Sequence, residues 1–74
     1  MKVVIFRSTR DVIQCEKECR KVQIGCRVIP VPRSISPLCG MALEIKDEAG
    51  DAVLKVTEGL SIKVEIFDRD KVKL

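Results

Sequence analysis

Six stretches of the chain carry a readable pattern of apolar and polar positions. Lys2 to Phe6 is a run of β-branched and aromatic residues, Val3-Val4-Ile5-Phe6, with no polar alternation, the pattern of a central strand buried on both faces. Arg7 ends it. Ser8 or Thr9 then caps a helix, and Asp11, three positions after Ser8, has capping-box spacing and sets a carboxylate in the positive first turn. Val12, Cys15, Cys19 and Val22 follow at steps of three, four and three, one helical stripe opposite a face of Arg10, Gln14, Glu16, Lys17, Glu18, Lys21 and Gln23. Gly25 is the expected helix stop.

In a second strand, Cys26, Val28 and Pro30 alternate with Arg27, Ile29 and Val31, and its prolines mark a sheet edge. A loop intervenes. Met41, Leu43 and Ile45 then alternate with Ala42, Glu44 and Lys46 in a third strand with one strongly apolar face. Asp47 is expected to cap a second helix, where Ala49, Ala52, Val53, Val56 and Leu60 form the buried stripe and Gly50 and Gly59 weaken it slightly. Ile62, Val64 and Ile66 alternate with Lys63, Glu65 and Phe67 in a last strand, and residues 68–74 read as a charged, loosely ordered tail.

The order is therefore β-α-β-β-α-β, whose commonest packing is the ferredoxin-like α+β fold, a four-stranded antiparallel sheet with both helices on one face. A single domain over residues 1–74 is expected, because a chain of 74 residues leaves no room for a second core. The topology also fixes which ends meet. The first two strands run the same way, so the loop after the second strand should lie where the first helix begins, near Arg7, Ser8, Thr9 and Arg10.

Composition narrows the function classes. Fourteen basic and eleven acidic residues are interspersed at a net +3, so no cationic stripe marks a phosphate track, and Phe6 and Phe67 alone cannot build a base-stacking platform. No nucleic acid is indicated. The apolar start is too short for a signal-peptide core or a membrane span, which argues for a cytoplasmic protein whose four cysteines stay reduced.

The loop Pro30-Val31-Pro32-Arg33-Ser34-Ile35-Ser36-Pro37-Leu38-Cys39-Gly40 holds the one cysteine that no periodic segment claims. Long connections in compact domains are usually functional or disordered, and prolines stiffen this one. A thiol becomes a nucleophile as its thiolate, which cations and helix N-termini favour. Arg33 within the loop, Arg7 and Arg10 across from it, and the opening N–H groups of the first helix are placed to stabilise negative charge on Cys39 or on a sulfur or selenium attached to it. Gly40 leaves room for close approach by a partner, and Ser34 and Ser36 either help bind an anion or form turns.

Elsewhere the chemistry reads as structural. Cys15 and Cys19 lie on the buried stripe with Val12 and Val22, where cysteine packs as a small hydrophobe. Cys26 at a strand start is ambiguous. There is no Cys-x-x-Cys pair and no histidine, so neither a structural zinc site nor a Cys-His couple has its usual form, and no metal or cofactor is expected. Asp47 and Glu48 are adjacent carboxylates explained by helix capping. Self-contained catalysis is not expected.

The chain resembles the selenium/sulfur carrier family over nearly its whole length. The residues that carry the likeness are Val4-Ile5-Phe6-Arg7-Ser8-Thr9, the helix around Glu16-Lys17, and the block from Ile29-Pro30 through Pro32-Arg33-Ser34-Ile35-Ser36 to Cys39-Gly40-Met41-Ala42-Leu43. The resemblance implies a carrier that receives sulfur or selenium on Cys39 as a persulfide or selenosulfide and hands it from a donor protein to an acceptor. Pro37-Leu38 stands where the family motif carries small or hydroxyl side chains, and a bulky Leu38 bears on access to the thiol. The alternative of another class is a non-catalytic interaction or regulatory module. It would dimerise or dock through the sheet face opposite the helices, where either Val4 with Phe6 or Val3 with Ile5 must point.

Overall fold

The computed structural model of the chain describes residues 1–72. Strand β1 (Lys2–Phe6) leads into helix α1 (Thr9–Lys21), strands β2 (Cys26–Pro30) and β3 (Met41–Ile45), helix α2 (Gly50–Gly59) after a 3-10 turn at Asp47–Ala49, and strand β4 (Val64–Asp68). A second 3-10 turn, Arg69–Lys71, follows. The sheet order is β2-β3-β1-β4 with every neighbouring pair antiparallel, which is the expected ferredoxin-like α+β arrangement. β1 is central and the proline-bearing β2 is an edge, as their patterns predict.

Alternation along β1 divides the core between the two sheet faces. Val4 and Phe6 point to the helix side, where Leu43 and Ile45 of β3, Val12, Cys15 and Cys19 of α1 and Val53 of α2 enclose them. Val3 and Ile5 point the other way. That face is not left open as expected: Val3 and Ala42 are fully buried, because Val31 and Ile35 of the long loop and Val72 beyond the second 3-10 turn fold over them. Glu44 pairs with Arg27 at 2.9 Å and with Arg69 at 3.3 Å, and the Arg69 amide donates to the Met1 carbonyl at 2.9 Å. The expected loose tail is thus tied down through Val72. Residues 73 and 74 of that tail lie outside the described residues.

Ser8 is the N-cap of α1, its hydroxyl accepting from the Asp11 amide at 3.1 Å. The helix stops earlier than Gly25. Gln23 takes a left-handed φ of 62°, with its own amide donating to the Arg20 carbonyl and the Ile24 amide to the Cys19 carbonyl, the paired bonds of a Schellman ending. Val22 therefore leaves the predicted stripe and is exposed, since the amphipathic phase runs past the last helical residue. α2 ends the same way at Ser61, with φ 56°. Asp47 caps nothing. It lies in the 3-10 turn, and its carboxylate meets the Met1 ammonium at 2.8 Å. Among the described residues no helix is long and apolar enough to cross a membrane.

Candidate functional site

The loop between β2 and β3 is closed by its own backbone. The Pro32 carbonyl accepts from the Ile35 and Ser36 amides at 2.9 and 3.0 Å, and the Ser36 carbonyl accepts from the Cys39 and Gly40 amides at 3.4 and 3.1 Å. Two single turns follow one another, hinged at Ser36. Pro32 and Pro37 start them because a fixed φ suits the opening of a turn and the missing N–H goes unmissed there. The Val31 amide closes the base on the Gly40 carbonyl at 3.0 Å. Gly40 has φ +73°, a conformation that a side chain would strain, and this reversal leads the chain into β3.

Cys39 does not point outward. It is 8% exposed and belongs to the helix-side core with Phe6, Val12 and Leu43. A small polarisable side chain suits the end of that core, where α1 begins and the second loop turn folds down on it. Its sulfur lies 3.8 Å from the hydroxyl of Thr9, the first residue of α1. The predicted meeting of the loop with the start of α1 is therefore present, with Thr9 as the contact.

The other expected site residues divide. Arg33 arches back over the loop, Nη1 donating to the Pro37 carbonyl at 3.2 Å, and its Nε would lie 3.6 Å from a side chain built at Gly40. The guanidinium thus sits above the residues flanking Cys39. Arg7 lines a cleft with Pro37 and Leu38, while Arg10 is exposed on α1. Ser34 is exposed. Ser36 is fully buried, and its hydroxyl has no partner among the described residues, so its backbone carbonyl rather than its side chain organises the loop. Leu38 is 67% exposed and stands beside the covered thiol.

The remaining thiols gather at the other end of the helix layer. Cys15 and Cys19 bring their sulfurs within 4.0 Å, and Cys26 reaches Cys19 from the start of β2. Burial in hydrocarbon pushes the Cys15 thiol up to about 12 and Cys26 to about 11, and Cys19 is raised by the same cause. All four cysteines are free thiols. No group of three or more metal-ligating side chains among the described residues could hold an ion. Periodicity placed Cys15 and Cys19 together but gave no sign that Cys26 joins them.

Sequence reasoning also missed Lys63, just before β4, and Glu65 within it, which line the Arg7 cleft. The antiparallel register that sets Phe6 opposite Val64 carries that signal, because it brings the start of β4 to the end of β1. A thiol beside a hydroxyl at the positive end of a helix, under a loop capped by a guanidinium, can hold a second chalcogen atom as an anion. The protein family described as Putative Se/S carrier protein-like matches residues 2–69 of the chain. No curated protein and no solved structure matches it.

Proposed function

The chain belongs to the Putative Se/S carrier protein-like family, and from that premise we propose that it carries sulfur or selenium on Cys39 between a donor and an acceptor protein. The observation that supports this most directly is the position of the Cys39 sulfur, 3.8 Å from Thr9 Oγ1 at the first turn of α1. The Cys39 thiolate attacks the outer sulfur of a donor persulfide. A new S–S bond forms at Cys39 as the donor's own S–S bond breaks, and the donor leaves as a thiolate that takes up a proton. No net oxidation occurs. Selenium follows the same path as a selenosulfide.

The Thr9 hydroxyl, the amides opening α1 and the Arg33 guanidinium are the groups that would hold the outer anionic atom. Burial of the inner sulfur then has a use, since a persulfide screened from free thiols survives until an acceptor engages the loop and opens it. Donor and acceptor supply the acid–base groups that a chain without histidine lacks. A reducing cytoplasm is where such free thiols would operate.

A cysteine desulfurase charged with ³⁵S-cysteine provides the test. Wild-type protein should take up label that reductant releases, Cys39→Ala should take up none, and Cys26→Ala should load normally. Equal labelling of Cys39→Ala and wild type would falsify the carrier reading.

A further inference from the structure

A cleft of about 580 Å³ opens at the end of the sheet beside the Cys39 loop. That volume falls within the range of about 300–1,000 Å³ usual for small-molecule sites. Ile5 of β1, Val64 of β4 and Leu38 of the loop give it apolar walls, and three charged side chains, Arg7, Lys63 and Glu65, share it. None of the three forms an ion pair among the described residues. Charges elsewhere on the sheet are matched, Lys2 with Asp68 at 2.9 Å and Glu44 with both Arg27 and Arg69.

Two cations and one carboxylate around an apolar floor complement an α-amino acid, whose carboxylate and ammonium sit on a single carbon. A free α-amino acid presents both charges on one carbon, whereas a peptide segment offers them only from separate side chains or termini. Leu38 is both a wall of the cleft and the residue before Cys39. We propose that this cleft binds the free α-amino acid group of a low-molecular-weight thiol compound, placing its sulfur at the loop that carries Cys39. Arg7 and Lys63 take the carboxylate, Glu65 takes the ammonium, and the carbon chain lies along Ile5 and Leu38.

The consequence for transfer rests on the carrier reading: a small persulfide R–S–SH gives its outer sulfur to Cys39 and departs as R–SH, a balanced exchange that needs no oxidant. The binding itself does not depend on that reading, and S-methylglutathione separates the two because it has no transferable sulfur. In a ¹H–¹⁵N NMR titration, amide shifts should cluster at Arg7, Leu38 and 63–65. Lys63→Met and Glu65→Gln, both exposed positions where the fold should survive, should each weaken binding about tenfold. N-acetyl-S-methylglutathione should bind wild type about tenfold more weakly and lose nothing further in Glu65→Gln. Absence of shifts up to about 10 mM ligand, shifts centred elsewhere, or affinity indifferent to N-acetylation would each overturn the assignment. Any of those results would leave loading of Cys39 by a protein donor as it was.

Discussion

Cys15, Cys19 and Cys26 meet at one end of the helix layer, and Cys39 lies at the other, with α1 between them. At the first end sulfur touches sulfur and hydrocarbon, and burial drives the thiols up, Cys15 to about 12 and Cys26 to about 11. Cys19 also belongs to the last turn of α1, where outward carbonyls oppose a negative charge. At the second end the sulfur faces a hydroxyl on the first turn, where unpaired amides favour one. Cys39 is nearly as buried as Cys15 and Cys19, and Cys26 is less buried than any of them, so what separates a packing cysteine from a candidate carrier is the polarity of its nearest neighbours and which helix terminus they belong to.

The strongest way to break that contrast is thiol labelling near neutral pH. Cys15 and Cys19 have no exposed surface and should react with iodoacetamide only through unfolding, slowed on the order of 10³-fold or more for a domain of ordinary stability. Cys39 needs only its own loop to open and should be alkylated well ahead of Cys15 and Cys19, as peptide mass spectrometry would show, while half-buried Cys26 is accessible without any opening. Labelling of Cys15 at the rate of Cys39 would erase the distinction.

Alkali probes the packing end by itself. Unfolded thiols ionise near 9, whereas folded Cys15 and Cys26 hold their protons to about 12 and 11. Above pH 9 the unfolded chain therefore binds fewer protons than the folded one, and stability falls as pH rises. It is fully present below that point. Each protected thiol costs up to about 1.4 kcal/mol per pH unit, so in denaturant unfolding Cys15 alone should account for a loss of about 2–3 kcal/mol between pH 9 and pH 11, with Cys26 adding somewhat less. Cys15→Ala should flatten this slope; an unchanged slope would mean that its thiol is not protected.

A hydroxyl in place of each sulfur tests the neighbours directly. Cys15→Ser buries an O–H among Cys19 and hydrocarbon and should cost about 2 kcal/mol. Cys39→Ser finds Thr9 Oγ1 within reach and should cost about half as much. Equal costs in urea titrations would show that Thr9 does not make that end polar.

Much of this arrangement is legible in the residue pattern because period and topology carry it. The unbroken apolar run at Val3–Phe6 marks the central strand, and two co-directional strands oblige the long loop to meet the start of α1. Periodicity is silent where no period exists. The burial of Cys39 depends on two turns hinged at the Ser36 carbonyl, and nothing in Ser-Pro-Leu-Cys-Gly specifies which way the fourth side chain faces. The covered sheet face escaped for a similar reason: Val31, Ile35 and Val72 come from irregular segments, whose apolar residues have no phase to read. Val22 and Gly25 depart from the pattern because a stripe predicts a face, whereas a helix end is set by the residue that turns left-handed, here Gln23.

The two ends differ in backbone as well, and this gives the smallest expected effect. Gly40 supplies the positive φ beside Cys39, whereas Gln23 adopts it with a side chain where α1 ends, at the packing end. A left-handed conformation costs a side chain about 1 kcal/mol that glycine avoids. Gln23 is exposed, so Gln23→Gly removes no packing and should stabilise the protein by about 0.5–1 kcal/mol. Gly40→Ala should destabilise by about 1 kcal/mol through φ alone, since the added carbon would meet Arg33 Nε at an ordinary 3.6 Å. Opposite signs in matched chemical denaturation would locate the backbone strain at the packing end. Stabilisation by both substitutions would instead mean that the loop's reversal at Gly40 does not require glycine.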